Sequence, residues 1–137
     1  MSEMVPLIVT HFAEIARFKD VPVEPNFNYY RHMDEIDALK IFTVRESEKL
    51  VGYSVFTVTR HPHYNSTTQA NEELLYLAPD YRRGSLGDQL IRYSDKCLEA
   101  FGVDMIYHTV SVSRDYSPLL LRQGYDLCDK VYARRIQ

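Results

Sequence analysis

Apolar positions along the chain change their period several times, and each change marks an element. Ile8, Phe12, Ile15 and Ala16 recur at helical spacing and predict a helix over residues 7–18. The two-proline connector Val21-Pro-Val-Glu-Pro-Asn26 follows. Tyr29, Tyr30, Met33, Ile36 and Leu39 then form a second helical stripe, with Asn26 or Asn28 as N-cap. Period two takes over at residues 41–45 and 50–59, joined by the polar turn 46–49, which predicts a hairpin. Gly52 inside its second strand signals a bulge or a close backbone approach. A polar loop over residues 60–70 leads to a short strand, 73–77, stopped by Ala78-Pro79-Asp80. Leu86, Leu90, Tyr93, Cys97 and Phe101, with Ile91, Ser94 and Leu98 alongside, predict a long helix that Gly102 caps. Residues 103–112 read as the next strand, so 73–112 is a strand–helix–strand unit long enough for a parallel crossover. A short helix at 115–123 and a Tyr-rich tail, 125–136, complete the chain. The pattern is that of an α/β fold with a mixed sheet, antiparallel first and parallel second.

Composition narrows the classes. With 137 residues, 45% hydrophobic and a net charge of −3, the chain is expected to form one domain over residues 1–137. No window approaches the ~18–20 apolar residues of a membrane span, so no membrane partner is expected. The first residues lack the charged region and cleavage site of a signal peptide. A pI near 5.9 argues against nucleic acid as a partner. Cys97 and Cys128 have no metal-ligand spacing; two reduced thiols in the cytoplasm are the expectation. Charge is divided unevenly: residues 1–48 hold nine acids and five bases, so the first third is acidic and the rest nearly neutral.

The stretch most suggestive of chemistry is Leu77-Ala-Pro-Asp-Tyr-Arg-Arg-Gly-Ser-Leu-Gly87, between a strand and a helix. Its glycines allow a sharp turn and close approach of backbone N–H groups to a ligand. Those N–H groups sit at a helix N-terminus, whose dipole favours anions, and Arg82 and Arg83 add positive charge there. This is a candidate phosphate or pyrophosphate cradle, although neither GxxxxGK[ST] nor GxGxxG is present. His61, His63 and His108 form a second constellation, and an H-x-H pair with a distant histidine is weak support for a metal site. No metal is therefore expected.

The run LYLAPDYRRGSLGDQLI resembles the acyl-CoA-binding motif of the GNAT N-acetyltransferases, Arg/Gln-x-x-Gly-x-Gly/Ala after a "V-x-P-x-Y-R" turn. Arg82, Ser85 and Gly87 fall on the signature positions; serine replaces the middle glycine, and Gly84 stands one place earlier. Lys49-Leu-Val-Gly52-Tyr resembles the family's "G-x-x-V-G", and Leu119-Leu-Leu-Arg-Gln-Gly124-Tyr125 its "L-Y-E-K-x-G-F". The likeness runs in order over about residues 41–137. It implies a mixed central sheet with two splayed parallel strands, here 71–77 and 103–112, and flanking helices.

The resemblance also implies a reaction: transfer of an acetyl group from acetyl-CoA to a primary amine by direct attack, with no metal. Backbone groups of Leu75 and Leu77 would meet the pantetheine, and Arg82, Arg83, Gly84, Ser85, Leu86 and Gly87 the pyrophosphate. A glutamate on the strand before the loop serves the family as base. Glu72 and Glu73 lie there on opposite faces, and Glu73 is the expected base, with His108 the alternative. The family's usual acid is a tyrosine at the position of Leu120 here; Tyr116, one turn earlier, is the candidate substitute, water the other. The acidic first third suits a cationic acceptor, a small molecule or a lysine side chain. Family members often pair as homodimers through C-terminal strands, here 125–136. The departures at Leu120 and Ser85 also fit a weak or inactive CoA-binding or protein-interaction module.

Overall fold

A computed structural model describes residues 2–136. After a 3₁₀ turn, Ser2–Met4, helix α1 spans Val5–Ile15 with Pro6 in its first turn, where the missing N–H costs nothing. It ends three residues earlier than its apolar spacing predicts. Helix α2, Phe27–Glu35, starts at Asn26, whose side chain accepts from the Tyr29 N–H at 3.0 Å. The predicted stripe overran this helix. Asp37 takes a positive φ of 57°, which turns the chain out of the helix, and Leu39 opens a strand instead.

Strands β1 (Leu39–Glu46) and β2 (Lys49–Arg60) form the expected hairpin. Its two turn residues, Ser47 and Glu48, both have positive φ, the geometry that matches strand twist. Strand β3, Thr68–Leu77, begins five residues before the predicted strand, because its polar start pairs with β2 as far as Arg60↔Thr68. Both readings of Gly52 hold. The register shifts between Val44 and Arg45 opposite it, and a Cβ there would lie 2.8 Å from the Tyr76 carbonyl oxygen and from Leu77 Cδ1.

Helix α3, Leu86–Ala100, packs through Leu90, Ile91, Ser94 and Leu98. The predicted leading stripe is rotated outward, leaving Tyr93 and Phe101 exposed. The reason is polar: Ser94 gives its hydroxyl proton to the Leu90 carbonyl at 2.7 Å and accepts from Ser54 at 2.8 Å, so a serine fits the core. Strand β4 is Met105–Tyr107 and not the ten residues predicted. It pairs in parallel with β3 only over Gln69–Asn71, giving the sheet order β1-β2-β3-β4. Helix α4, Ser117–Arg122, follows. Residues 125–136 form no strand, and Leu127, Val131 and Tyr132 are exposed.

Each sheet face carries a core. Met4, Ile8, Met33, Tyr53, Val55, Leu74 and Tyr76 pack on the α1–α2 side. Phe42, Phe56, Ala70, Leu90 and Leu98 pack on the α3 side. The helix crossings position the site: α1 and α3 cover opposite faces of β3 where β3 loses its parallel neighbour.

Candidate active site

Strand β3 changes character at two adjacent glutamates. Val55 pairs with Leu74 and Phe56 with Glu72, so Glu73 is an extra residue that bulges the strand. The last parallel pair is Asn71↔Tyr107, immediately before this bulge. Beyond it β3 and the chain after β4 part, and the gap becomes a cavity of about 250 Å³. Leu75 and Leu77 of β3, Arg82 and Gly87 of the loop, His11 and Glu14 of α1, and Arg114, Asp115, Tyr116, Pro118 and Leu119 line it.

Alternation along β3 sends the two carboxylates to opposite faces, and the bulge leaves Glu73 on the same face as Leu74. Glu73 is exposed on the α2 side, where Thr57 Oγ1 donates to its Oε1 at 3.1 Å. Burial and the charge of Glu73 hold the Tyr29 and Tyr30 hydroxyls above their usual range. Glu72 points toward α4. Tyr116 Oη lies 3.4 Å from its Oε2 and 3.1 Å from His108 Nδ1, so one hydroxyl bridges both. Burial pushes the Glu72 carboxyl up to about 8, against the opposing pull of the Thr109 amide and Tyr116. Burial also pushes His108 down to about 4, so its imidazole is neutral at physiological pH. The His108 Nε2 atom is buried with no hydrogen-bond partner.

The loop has the shape of an anion cradle. Gly84 has φ +90° with open space where a Cβ would stand, and Ser85 is the N-cap of α3. The first N–H groups of a 15-residue helix thus open onto the loop. Gln89 Nε2 donates to Ser85 Oγ at 2.8 Å, and Arg83 is exposed. At Gly87 a Cβ would come 3.2 Å from Leu119 Cδ1, so α3 and α4 pack closely here beside the cavity.

Arg82 is used differently from Arg83. Its Nε donates to the Leu77 carbonyl at 2.6 Å, its Nη2 pairs with Glu14 at 2.8 Å, and its guanidinium lies 5.3 Å from the Tyr76 ring centroid. Arg114 approaches the other Glu14 oxygen at 3.8 Å. Arg82 therefore fastens the loop to α1 and to the end of β3, and Arg83 is the side chain that faces solvent.

Sequence reasoning missed His11, Glu14 and the bridging role of Glu72. The signal for His11 was present: it lies on the apolar stripe between Ile8 and Ile15, and in the fold it reaches Tyr53 Oη at 3.3 Å with its ring 5.1 Å from that of Tyr76. Burial pushes it down to about 4. His61 and His63 pack with Tyr64 and Tyr107 instead, and among the described residues no three metal-ligating side chains converge.

Comparison with known proteins bears on this architecture. Among curated proteins no relative matches the sequence. A transcriptional regulator from Bacillus halodurans superposes with TM-score 0.75 at 18% identity, over 99% of this chain and 95% of its own. An aminoglycoside acetyltransferase from an uncultured soil metagenomic sample, in complex with sisomicin, gives 0.71 at 14%, over 99% and 86%. A predicted acetyltransferase with acetyl-CoA from Clostridium acetobutylicum gives 0.70 at 11%, over 98% and 86%. At these identities the likeness is one of fold. The sequence model of the Acetyltransferase (GNAT) family matches residues 9–125, and with the parted strands, the bulge and the glycine loop in place the chain belongs to that family.

Proposed function

We propose that this protein transfers an acetyl group from acetyl-CoA to a primary amine by direct attack. The observation that carries the reading is the cavity that Leu75 and Leu77 of β3, just past the bulge, line together with Arg82 and Gly87 of the glycine loop and Tyr116. Acetyl-CoA would supply the activated thioester. Leu75 and Leu77 offer apolar walls and backbone on the stretch of β3 that β4 leaves unpaired, the Leu77 carbonyl being held by Arg82. The Gly84, Ser85, Leu86 and Gly87 amides and Arg83 would hold the pyrophosphate, with Arg82 fixing the loop. Holding both reactants in one orientation supplies much of the rate for such a transfer.

Glu73 is positioned to take a proton from an ammonium arriving on the α2 side, with Thr57 orienting its carboxylate. Tyr116 lines the cavity and is the candidate donor to the leaving thiolate. His108 is neutral and bonded to Tyr116, which makes it a partner of the acid in preference to the alternative base. An acidic first third and the Tyr29–Tyr30 pair, rings 5.2 Å apart, favour a cationic acceptor, a small amine or a lysine side chain.

A second reading, a CoA-binding module without transfer, draws on one fact: Leu120, at the position of the family's usual acid, is buried at 6% exposure. Thermal shift with CoA and release of CoA thiol across an amine panel separate the two. Stabilisation with turnover is expected; stabilisation without turnover favours the module, and no stabilisation by millimolar CoA overturns both.

A further inference from the structure

Tyr116 poses a chemical problem for any protein that uses it as an acid. Burial holds its hydroxyl far above the ordinary tyrosine range. A bare tyrosinate is therefore too costly to persist there, so a hydroxyl that loses its proton outward must gain another from inside in the same step. The structure holds the means. Glu72 Oε2 and His108 Nδ1 stand 3.4 and 3.1 Å from Tyr116 Oη, and the Tyr116 ring lines the cavity while its partners do not.

We propose that Glu72 and His108 form a proton relay behind Tyr116: Glu72, as the carboxylic acid, returns a proton to the hydroxyl each time Tyr116 gives one up, and His108 fixes the hydroxyl's direction. The inference rests on the proposed transferase reading and deepens it. Tyr116 Oη–H breaks outward to the leaving sulfur as the Glu72 Oε–H proton moves to Tyr116 Oη. The Glu72 carboxylate regains its proton from water between turnovers, and the proton lost by the amine leaves through Glu73. Glu72 and His108 are thus positioning residues.

The surroundings suit the role. The groups facing the cluster are the Thr109 amide after β4, Glu73 next on β3, and Tyr125 after α4, whose hydroxyl donates to Asp95 of α3 at 2.8 Å. His108 is edge-on to Tyr125 at 5.2 Å and to Phe56 at 5.6 Å, so both rings wall it from solvent. None of these neighbours is a cation, and nothing among them stabilises the Glu72 carboxylate by charge. The unpartnered His108 Nε2 leaves the imidazole's hydrogen bonding to Tyr116 alone.

The test follows CoA-thiol release from acetyl-CoA, with water alone and with spermidine, sisomicin and a lysine peptide as amine probes, in wild type, Glu72→Gln, Tyr116→Phe and the double variant. Glu72→Gln is expected to lower kcat at least ~10-fold at unchanged KM for acetyl-CoA. It is also expected to abolish a fall in kcat above about pH 8. The double variant should be no worse than Tyr116→Phe alone. A ¹³C titration of the Glu72 carboxyl in the wild-type protein needs no variant to fold and should show a protonated acid at neutral pH. Wild-type kcat and pH profile in Glu72→Gln, or a Glu72 carboxylate already ionised at neutral pH, overturns the relay while an impaired Tyr116→Phe leaves the transferase reading standing. A wild type that binds CoA but releases no thiol with any probe overturns both.

Discussion

Glu72 and Glu73 are chemically identical neighbours in one strand, and they live in different solvents. On the α2 face Glu73 is exposed and takes a hydrogen bond from Thr57. On the other face Glu72 lies opposite Phe56 and beside Tyr116, and burial pushes its carboxyl up to about 8. Alternation makes this division, and the bulge at Glu73 coincides with the end of parallel pairing. What the pair teaches is that the charge a carboxylate carries is set by the face it reaches, because burial penalises only its charged form.

The largest test of this contrast exchanges the roles. Glu73→Gln is expected to lower kcat by ~10²-fold or more with little change in melting temperature, since the side chain is exposed. Full activity of Glu73→Gln through the neutral and alkaline range means Glu73 is not the base. Next comes the packing that keeps one face dry. Leu98→Ala, fully buried under the α3 face, should cost ~2–5 kcal/mol by chemical denaturation. The same substitution at Leu121, 59% exposed, should cost well under ~1 kcal/mol.

The pH dependence of stability sharpens the contrast further. His11 and His108 have folded values near 4, below their usual 6.5, so the unfolded chain binds more protons between these limits and stability rises with pH there. Glu72 runs the other way: its folded value near 8 lies above the usual 4.5, so its contribution falls as pH rises between them. With two groups gaining and one losing, stability should peak near pH 6.5 and decline toward 8. Thermal melts of Glu72→Gln should lose that alkaline decline; melts that keep it place its source elsewhere. A modest effect is expected at Ser54→Ala, about 1 kcal/mol by chemical denaturation, because Ser94 keeps its bond to Leu90.

Parts of this fold were plain in the chain. Asn26 as N-cap, the hairpin, Gly52 against the Tyr76 carbonyl and Gly102 at φ +87° were all legible, because each is imposed by a local rule of capping, alternation or steric room. Leu39 and the long strand at 103–112 were misread for one reason. Both segments are apolar enough for the predicted element, but a positive φ at Asp37 ends one and the parting of strands ends the other. Neither event has a hydrophobic signature.

The sequence by itself determined the order of elements, the glycine loop at a helix start and the presence of two glutamates on opposite faces. Those follow from spacing and from residue chemistry, which a linear chain displays. Only the tertiary structure decided which glutamate is buried, that Arg82 turns inward to Glu14 on α1 while Arg83 faces out, and that Tyr116 bridges Glu72 and His108. These depend on side chains 68, 44 and 8 positions apart meeting across a bulge and a split sheet. Desolvation and hydrogen bonding at such meetings, and not residue identity, set the charge each group carries.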